Sequence, residues 1–564
     1  MSSFVPAVGN SLWWLTCWPD AVRFRAALRD VATTQREVLR RIVARNAATD
    51  FGRRHGFAAI RSVEDFQGRV PLSAYEDYAP AIERIGAGER GVLTRDPVLL
   101  LEPTSGSSAP TKHIPYTAGL KADFQRAIAP WIVDLYRRDP RLLLGQAYWS
   151  ITPVARPNAR TPGGIPIGFD ADADYLGKIQ SRLVHSIQAV PPIVRLIDDV
   201  DAFYYVTLLF LVRSRRLTLI SVWNPTFLTL LTRRLAACWC DLAADVARGT
   251  IGCADRLGPD VHRALAGPNR PDRRRAEEIR EAFRSGDSPG ASHARLWPAL
   301  RLVSCWADAA AAGPAVELSR LFPQAQLQGK GLLATEGAVS IPLWGHGAVL
   351  AARSHFFELL PADETGQISE PAAPRLAHEL EPGGSYGVVL TTSGGLYRYR
   401  LQDLVRVVGK HESAPVLRLV GRERHVSDHF GEKLNERHVL RLLEELSARL
   451  GCRPTFAMLA GDTEAAPAAY TLYVEAADQS DRALQALAPE LEAGLQENYH
   501  YRYCRDLGQL GPARVFRIEG GAWERYLAAA RAHGQRLGDV KPTALHRFGG
   551  WSRVFRGRLL SASL

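Results

Sequence analysis

With 564 residues, 46% apolar and 23% charged, the chain holds more material than one hydrophobic core normally organises and has an ordinary globular composition. That excludes a disordered protein and predicts a large domain with at least one smaller companion. The net charge of +11 suits an anionic partner, but the densest basic cluster, Arg270 to Arg284, interleaves its arginines with acids on a predicted helix, which describes a solvated face; no nucleic-acid module is recognisable, so no nucleic acid is expected.

In chain order, Met1 to Trp18 shows neither a basic leader nor a cleavage site, so no secretion signal is expected. From Phe24 to Ile42 the apolar positions Phe24, Leu28, Val31, Val38, Leu39 and Ile42 recur at helical spacing and predict one amphipathic helix. Val98 to Leu101, bounded by turn formers, predicts a buried strand. The longest apolar stretch, Ala202 to Val212, is about half of the roughly 20 residues a spanning helix needs, so it reads as core and no membrane is expected. Seven scattered cysteines resemble no disulfide framework and point to the cytoplasm; Cys238-Trp-Cys240 lacks the second ligand pair of a zinc site. The Pro/Arg/Gly-rich stretch from Gly267 to Ser292 reads as a surface insertion or long loop.

Short strands are predicted at Val388 to Thr392, Leu396 to Tyr399, Leu404 to Val408 and Val416 to Val420, with Gly394-Gly395 as a hairpin turn. Beyond a polar stretch at 421–431, Asn435 is placed to cap a helix with an apolar face of Val439, Leu442, Leu443 and Leu446, stopped by Gly451. Strands at Thr455 to Leu459 and Tyr470 to Glu475, with helical patterns to Glu497, complete a small α+β unit.

The first chemical feature follows the Val98 strand. Thr104-Ser105-Gly106-Ser107-Ser108-Ala109-Pro110-Thr111-Lys112 offers hydroxyls, flexible backbone N–H groups and an ammonium together, which suits phosphate oxygens. Ser/Thr/Gly/Pro clusters also make plain turns, and the Walker spacing is absent, so the residues alone leave both readings open.

Extended through His113-Ile114-Pro115-Tyr116-Thr117, this run resembles the phosphate loop of adenylate-forming enzymes in the form carried by the acyl-acid amido synthetases, the auxin-responsive Gretchen Hagen three family of the acyl-CoA synthetase/luciferase-like superfamily. Three further segments match in order. Gly331 to Glu336 resembles the family's second motif, which ends in Ser/Thr-Glu; Tyr397 to Asp403 resembles its Tyr-Arg-x-Gly-Asp motif; Val420-Gly421-Arg422 and Gly431-Glu432-Lys433 resemble the junction with the C-terminal domain. Val540-Lys541-Pro542 is a partial match to the family's Tyr-Lys-x-Pro segment.

The resemblance implies an α/β fold: a large adenylate-forming domain of mixed sheets and helices at 1–421, a small mobile α+β domain at 422–564, and a hinge at about 421–431. It implies that ATP is cradled by Thr104, Ser105, Gly106, Ser107, Ser108, Thr335, Tyr399 and Arg422, with Asp403 accepting the ribose hydroxyls and Glu336 helping to hold Mg2+. Lys112 and Lys541 would offset phosphoryl charge, and Lys433 would approach in one domain orientation. Gln402 stands where the family has Gly, which leaves the local turn geometry open. By position Trp223 and Asn224 are candidates to meet the substrate, beside the plainer reading of a core Trp and a turn Asn.

The implied activity is adenylation of a small carboxylic acid followed by acyl transfer to an amine or amino acid, in a monomer. An acyl-CoA or acyl-carrier ligase, or a non-catalytic ligand-binding relative, would share the nucleotide motifs.

Overall fold

The computed structural model describes the chain apart from residues 1–3, 105–111, 152–158, 170–182, 185, 285, 364–366, 369–372, 424–425, 428, 430–431, 450, 452, 463–466, 533–539, 541–542, 547 and 561–564. The expected single N-terminal helix is two, Phe4–Arg29 and Val31–Asn46. Asp30 breaks it: its backbone leaves the helical region, and its carboxylate accepts the Thr33 N–H at 2.9 Å, capping the second helix. Gln35 then pins that helix to the neighbouring sheet, donating to the Ala352 and His355 carbonyls and accepting from the Phe357 N–H.

Four parallel strands, in the order Gln146–Trp149, Leu217–Ser221, Leu302–Cys305 and Gln326–Gly329, form one sheet. Its inner strands are apolar runs because helices cover it. The Ala202 to Val212 stretch is buried as expected, inside the helix Val200–Arg213. No described helix is long and apolar enough to cross a membrane.

The expected loop at 267–292 is instead largely helical, with helices Arg273–Arg284 and Pro289–Leu296. Ala276, Ile279 and Ala282 supply a narrow buried stripe, hidden in the sequence among arginines, and Arg275 lies inside with it, donating to the Val212 and Leu296 carbonyls at 2.6 and 2.8 Å.

A seven-stranded antiparallel sheet runs Arg375–Leu376, Phe356–Ala362, Ser385–Thr391, Tyr399–His411, Ala414–Arg422, Gly347–Leu350, Ser340–Leu343. Gly394-Gly395 forms the expected turn, Gly395 taking φ 97 where a side chain would be strained. The separate strands expected at Leu396 to Tyr399 and Leu404 to Val408 resolve into one long strand that begins only at Tyr399.

Everything that builds the third large sheet follows Thr455: a mixed sheet ordered Leu545–His546, Phe456–Asp462, Ala469–Glu475, Arg514–Ile518, Gly557–Leu560. The helix Glu436–Arg449 covers it with the four expected apolar residues, Asn435 Oδ1 accepting the Arg437 N–H at 2.8 Å and Gly451 taking φ 65 just past its end. Aromatic side chains including Phe456, Tyr473, Phe516 and Phe555 gather in a separate cluster of this unit, which Leu230 of the helix Pro225–Arg248 joins.

One buried ion pair ties the antiparallel sheet to the N-terminal segment. Arg398 meets the Glu358 carboxylate at 3.0 Å through both Nε and Nη2, while its Nη1 donates to the Gln67 and Val70 carbonyls at 3.0 and 2.7 Å. Removing one member of such a pair strands the other charge. Arg398→Met is expected to cost about 3–5 kcal/mol, read as a lower urea midpoint of the large domain.

His355 is fully enclosed beside Asp123, and its Nε2 accepts the Ala338 N–H at 3.1 Å, which leaves the proton on Nδ1. Burial lowers its pKa from 6.5 to about 4. Between those values the unfolded chain binds a proton that the fold refuses, so stability falls as pH drops through that window, by about 3 kcal/mol in full. Chemical denaturation at pH 7 and pH 4 should show this loss in the parent chain and a smaller one in His355→Gln.

Candidate active site

Residues from separated motifs converge where the Lys112–Thr117 strand, the turn at Thr335-Glu336 and the ends of two long antiparallel strands meet. Thr104 and Lys112 are cross-strand partners, so the two ends of the 105–111 segment stand side by side. Ser105, Gly106, Ser107 and Ser108 lie outside the described residues. Lys112 Nζ sits 5.3 Å from the centre of the Tyr75 ring, and the Tyr75 hydroxyl accepts the His113 N–H at 2.8 Å. Tyr75, at the start of the helix Tyr75–Gly86, thus meets both the Lys112 ammonium and the backbone of its strand.

Thr335 and Glu336 form the tip of a tight hairpin between Leu333–Ala334 and Gly337–Ala338. Tyr116, fully buried at the end of the Lys112 strand, donates its hydroxyl to the Thr335 carbonyl and so locks the first motif to the second. The Glu336 carboxyl accepts from the Tyr399 hydroxyl at 3.3 Å. Burial raises the Glu336 pKa and the neighbouring Asp403 raises it further, while Arg422 and Lys112 pull it back. Burial, followed by the charge of Glu336, also holds the Tyr399 phenol protonated.

Asp403 owes its position to a bulge. The ladder from Ser385–Thr391 shifts register between Gly387 and Val389, and at the bulge Gln402 takes φ 65. That is the left-handed conformation for which a glycine is best suited, at the position where the sequence comparison left the geometry open. Asp403 then pairs across the ladder with Arg422, Nε to Oδ1 3.4 Å. Asp403 first, and Glu336 after it, strengthen the hold of Arg422 on its proton against the opposing effect of burial.

Arg422 also feels Glu436, whose carboxylate accepts from the Thr543 hydroxyl at 2.6 Å and the Ala544 N–H at 2.9 Å. On the other side, Asn224 donates its amide to the Val540 carbonyl at 2.5 Å. Lys541 lies outside the described residues, but its chain neighbours are thus held from both directions.

Asn224 is buried and its carbonyl caps the helix Pro225–Arg248 through the Thr226 N–H and hydroxyl, so both of its polar ends serve the fold. Trp223 is partly exposed beside Trp306. Lys433 is exposed at φ 45, and Asn498 holds its carbonyl at 3.2 Å; no described hydrogen bond or ion pair brings its ammonium to the cluster in this arrangement. Tyr75, Tyr116 and Glu436 were not among the sequence-predicted site residues: Tyr116 lies inside the quoted motif and Tyr75 inside the Tyr75-Glu76-Asp77 segment that also resembles the family, whereas nothing local marks Glu436.

Among the described residues no group of three His, Cys, Asp or Glu forms a metal cage. Glu336, carried high by desolvation and flanked by cations, is the kind of single carboxylate that serves a hard cation whose remaining ligands are phosphate oxygens and water. A lysine, an arginine and two carboxylates thus gather beside the strand ends Thr104 and Lys112 that flank residues 105–111.

The particular lineage follows from the whole chain, which belongs to the GH3 family: the GH3 family N-terminal domain matches residues 21–327, the central domain 348–422 and the C-terminal domain 437–548. Similar curated proteins include indole-3-acetic acid-amido synthetase GH3.8 of Oryza sativa subsp. indica, 26% identical over 91% of this chain and 88% of that protein. Another is probable indole-3-acetic acid-amido synthetase GH3.1 of Arabidopsis thaliana, 25% identical over 96% and 94%. Among solved structures, GH3.15 acyl acid amido synthetase superposes with a TM-score of 0.82 at 20% identity, covering 96% of each chain. The same enzyme in complex with 2,4-DB gives 0.83 at 19% identity over 97% of each. The shared fold has a large N-terminal part and a smaller C-terminal one.

The bulge yields a test. Gln402→Gly should keep ATP affinity within about twofold, while Gln402→Val, β-branched at positive φ, should cost about 1–3 kcal/mol of stability and weaken ATP binding through Asp403. Calorimetric titration and thermal melts of both variants distinguish the two effects.

Proposed function

We propose that this protein is an ATP-dependent acyl-acid amido synthetase that adenylates a small carboxylic acid and passes the acyl group to an amine, an amino acid by preference. The observation that carries this reading is the meeting of Lys112, Asp403 and Arg422 around Glu336, four residues drawn from four separated motifs and within electrostatic reach of that carboxyl. The named activities of the similar rice and Arabidopsis proteins support the same chemistry.

In the first step a carboxylate oxygen of the acid attacks the α-phosphorus of ATP, a P–O–C(acyl) linkage forms, and pyrophosphate leaves. Residues 104–108 and Thr335 line the phosphates, and Lys112 and Lys541 offset charge developing on the phosphoryl oxygens. Asp403 accepts hydrogen bonds from the ribose hydroxyls, with Arg422 and Tyr399 orienting that end. Glu336 would hold Mg2+, which neutralises phosphate charge when bound. Because the carboxyl of Glu336 is destabilised as an anion by burial, a cation there is the partner its site suits.

In the second step the amine nitrogen attacks the acyl carbon, AMP leaves with the bonding pair, and the amine gives up a proton as the amide forms. We assign the large domain to 1–421, the small domain to 422–564 and the hinge to about 421–431. Gly421 at φ 149 and Lys433 at φ 45 flank that segment, and Glu432 is anchored by the Tyr470 hydroxyl, which supports a rigid C-terminal unit turning on a short strap. Rotation there would bring Lys433 in as Lys541 leaves. A monomer in the cytoplasm completes the proposal, the latter supported by the free thiols of Cys17, Cys305 and Cys504.

The test is pyrophosphate release from ATP and Mg2+ across a panel of carboxylic acids, with and without amino acids. Release that depends on the acid, is accelerated by amino acids and yields an amide by mass is expected. Release coupled to CoA with no use of amines would sink the assignment. Glu336→Ala should lower the acid-dependent rate by at least about 100-fold, and Asp403→Ala should weaken ATP binding by about 10-fold or more.

A further inference from the structure

The first helix, Phe4–Arg29, carries apolar side chains on both of its sides. On the inner side Trp13, Cys17, Ala21, Phe24 and Leu28 are buried, facing the helix Ala118–Arg138. Asn10 fixes that seating: its amide donates to the Leu143 and Gly145 carbonyls at 3.0 and 2.9 Å, and its side-chain oxygen accepts the Tyr136 hydroxyl at 2.8 Å. With one side spent on the core, the outer side of a surface helix is ordinarily polar. Here Val5, Val8, Leu12, Leu15, Trp18 and Val22 stand 39–58% exposed on it. They follow one another at intervals of three or four residues and so form one stripe, roughly 25 Å long. Single exposed apolar residues are ordinary on a protein surface, whereas a contiguous apolar patch marks a place where something binds.

Charge is distributed along this helix just as unevenly. No side chain from Phe4 to Pro19 is charged, while Arg23, Arg25 and Arg29 stand exposed at and just beyond the end of the stripe. Asp20 is the one acid of the helix, and it is engaged by Arg353 at 3.1 Å and by Arg23 at 3.8 Å. An uncharged apolar stripe that ends in exposed arginines matches a helix lying in the plane of a membrane surface, with its apolar side chains among acyl chains and its arginines among anionic headgroups. Tryptophan favours that boundary as well. A helix in this position does not cross, so it is compatible with a chain in which no described helix is long and apolar enough to do so.

A second copy of the helix would match the stripe but not the charges. Laid parallel, two copies set Arg23, Arg25 and Arg29 against the same three arginines; laid antiparallel, they set them over the uncharged stretch that holds Val5 and Val8. Neither arrangement brings a free acid, and each chain carries a net charge of +11. An anionic lipid surface satisfies the stripe and the arginines together.

We propose that the helix Phe4–Arg29 docks this protein on a membrane surface containing anionic lipid, with Val5, Val8, Leu12, Leu15, Trp18 and Val22 set among the acyl chains. This goes beyond the amido synthetase reading and does not depend on it.

The test is flotation of the full chain with vesicles of phosphatidylcholine and phosphatidylglycerol in equal parts, compared with vesicles of phosphatidylcholine alone. Binding to the mixed vesicles is expected to be at least about 10-fold tighter and to weaken as salt is raised. Leu12→Ser/Leu15→Ser should lower it by about 10-fold or more, and Arg23→Gln/Arg25→Gln/Arg29→Gln should abolish the preference for anionic vesicles. These side chains are exposed, so thermal melts and ATP affinity should match those of the parent chain, which separates lost docking from lost folding. Failure to bind the mixed vesicles, equal binding to both kinds, or either variant binding as the parent does would overturn the proposal. A dimer in sedimentation velocity that Leu12→Ser/Leu15→Ser dissociates would overturn it too, because the stripe would then belong to a second copy.

Discussion

The bidentate pair between Arg398 and Glu358 is the constraint on which the candidate site rests. It is buried on both sides, and Arg398 reaches it from a left-handed backbone conformation while also holding the Gln67 and Val70 carbonyls. Beside it Tyr78 accepts the Tyr397 N–H and donates to the Tyr397 carbonyl, and the Tyr397 hydroxyl reaches the Leu93 carbonyl. Tyr397 and Arg398 therefore fasten the N-terminal helical segment to the antiparallel sheet. Only then do Tyr399 and Asp403, the next residues in the chain, emerge at a fixed angle toward Glu336.

This arrangement divides one short motif between support and chemistry. Arg398 is spent on the fold, whereas Asp403, four positions beyond Tyr399, is aimed by a bulge. Strain at Arg398 and Gln402 is offset by the surrounding hydrogen bonds, which is the usual condition for such backbone to persist near a functional site. Electrostatics then do the rest: two carboxylates brought together by the sheet raise the cost of their own charge, and Arg422 and Lys112 lower it again.

The C-terminal unit meets the large one through bonds at opposite sides of the Lys541 segment. Asn224 grips Val540 from the large unit, and Glu436 grips Thr543 and Ala544 from the start of the C-terminal helix while influencing Arg422 across the junction. The proposed turn of the small unit about 421–431 would have to break the Asn224 bond and the Leu230 contact.

The order of the motifs, the buried helix at Ala202 to Val212, the Asn435 cap and the strand that leads into the Gly394-Gly395 turn were legible in the sequence, because each depends on residues close in the chain: apolar period, capping oxygen, turn glycine. The break at Asp30 and the buried Arg275 were not, since a single capping bond and a narrow apolar stripe are weak against the surrounding pattern. What only the tertiary structure decided is which side chains share a site. Tyr116 locking Thr335 and Glu436 facing Arg422 join residues apart in the chain, and no local period or propensity encodes a contact whose partners are brought together by sheet register and helix packing.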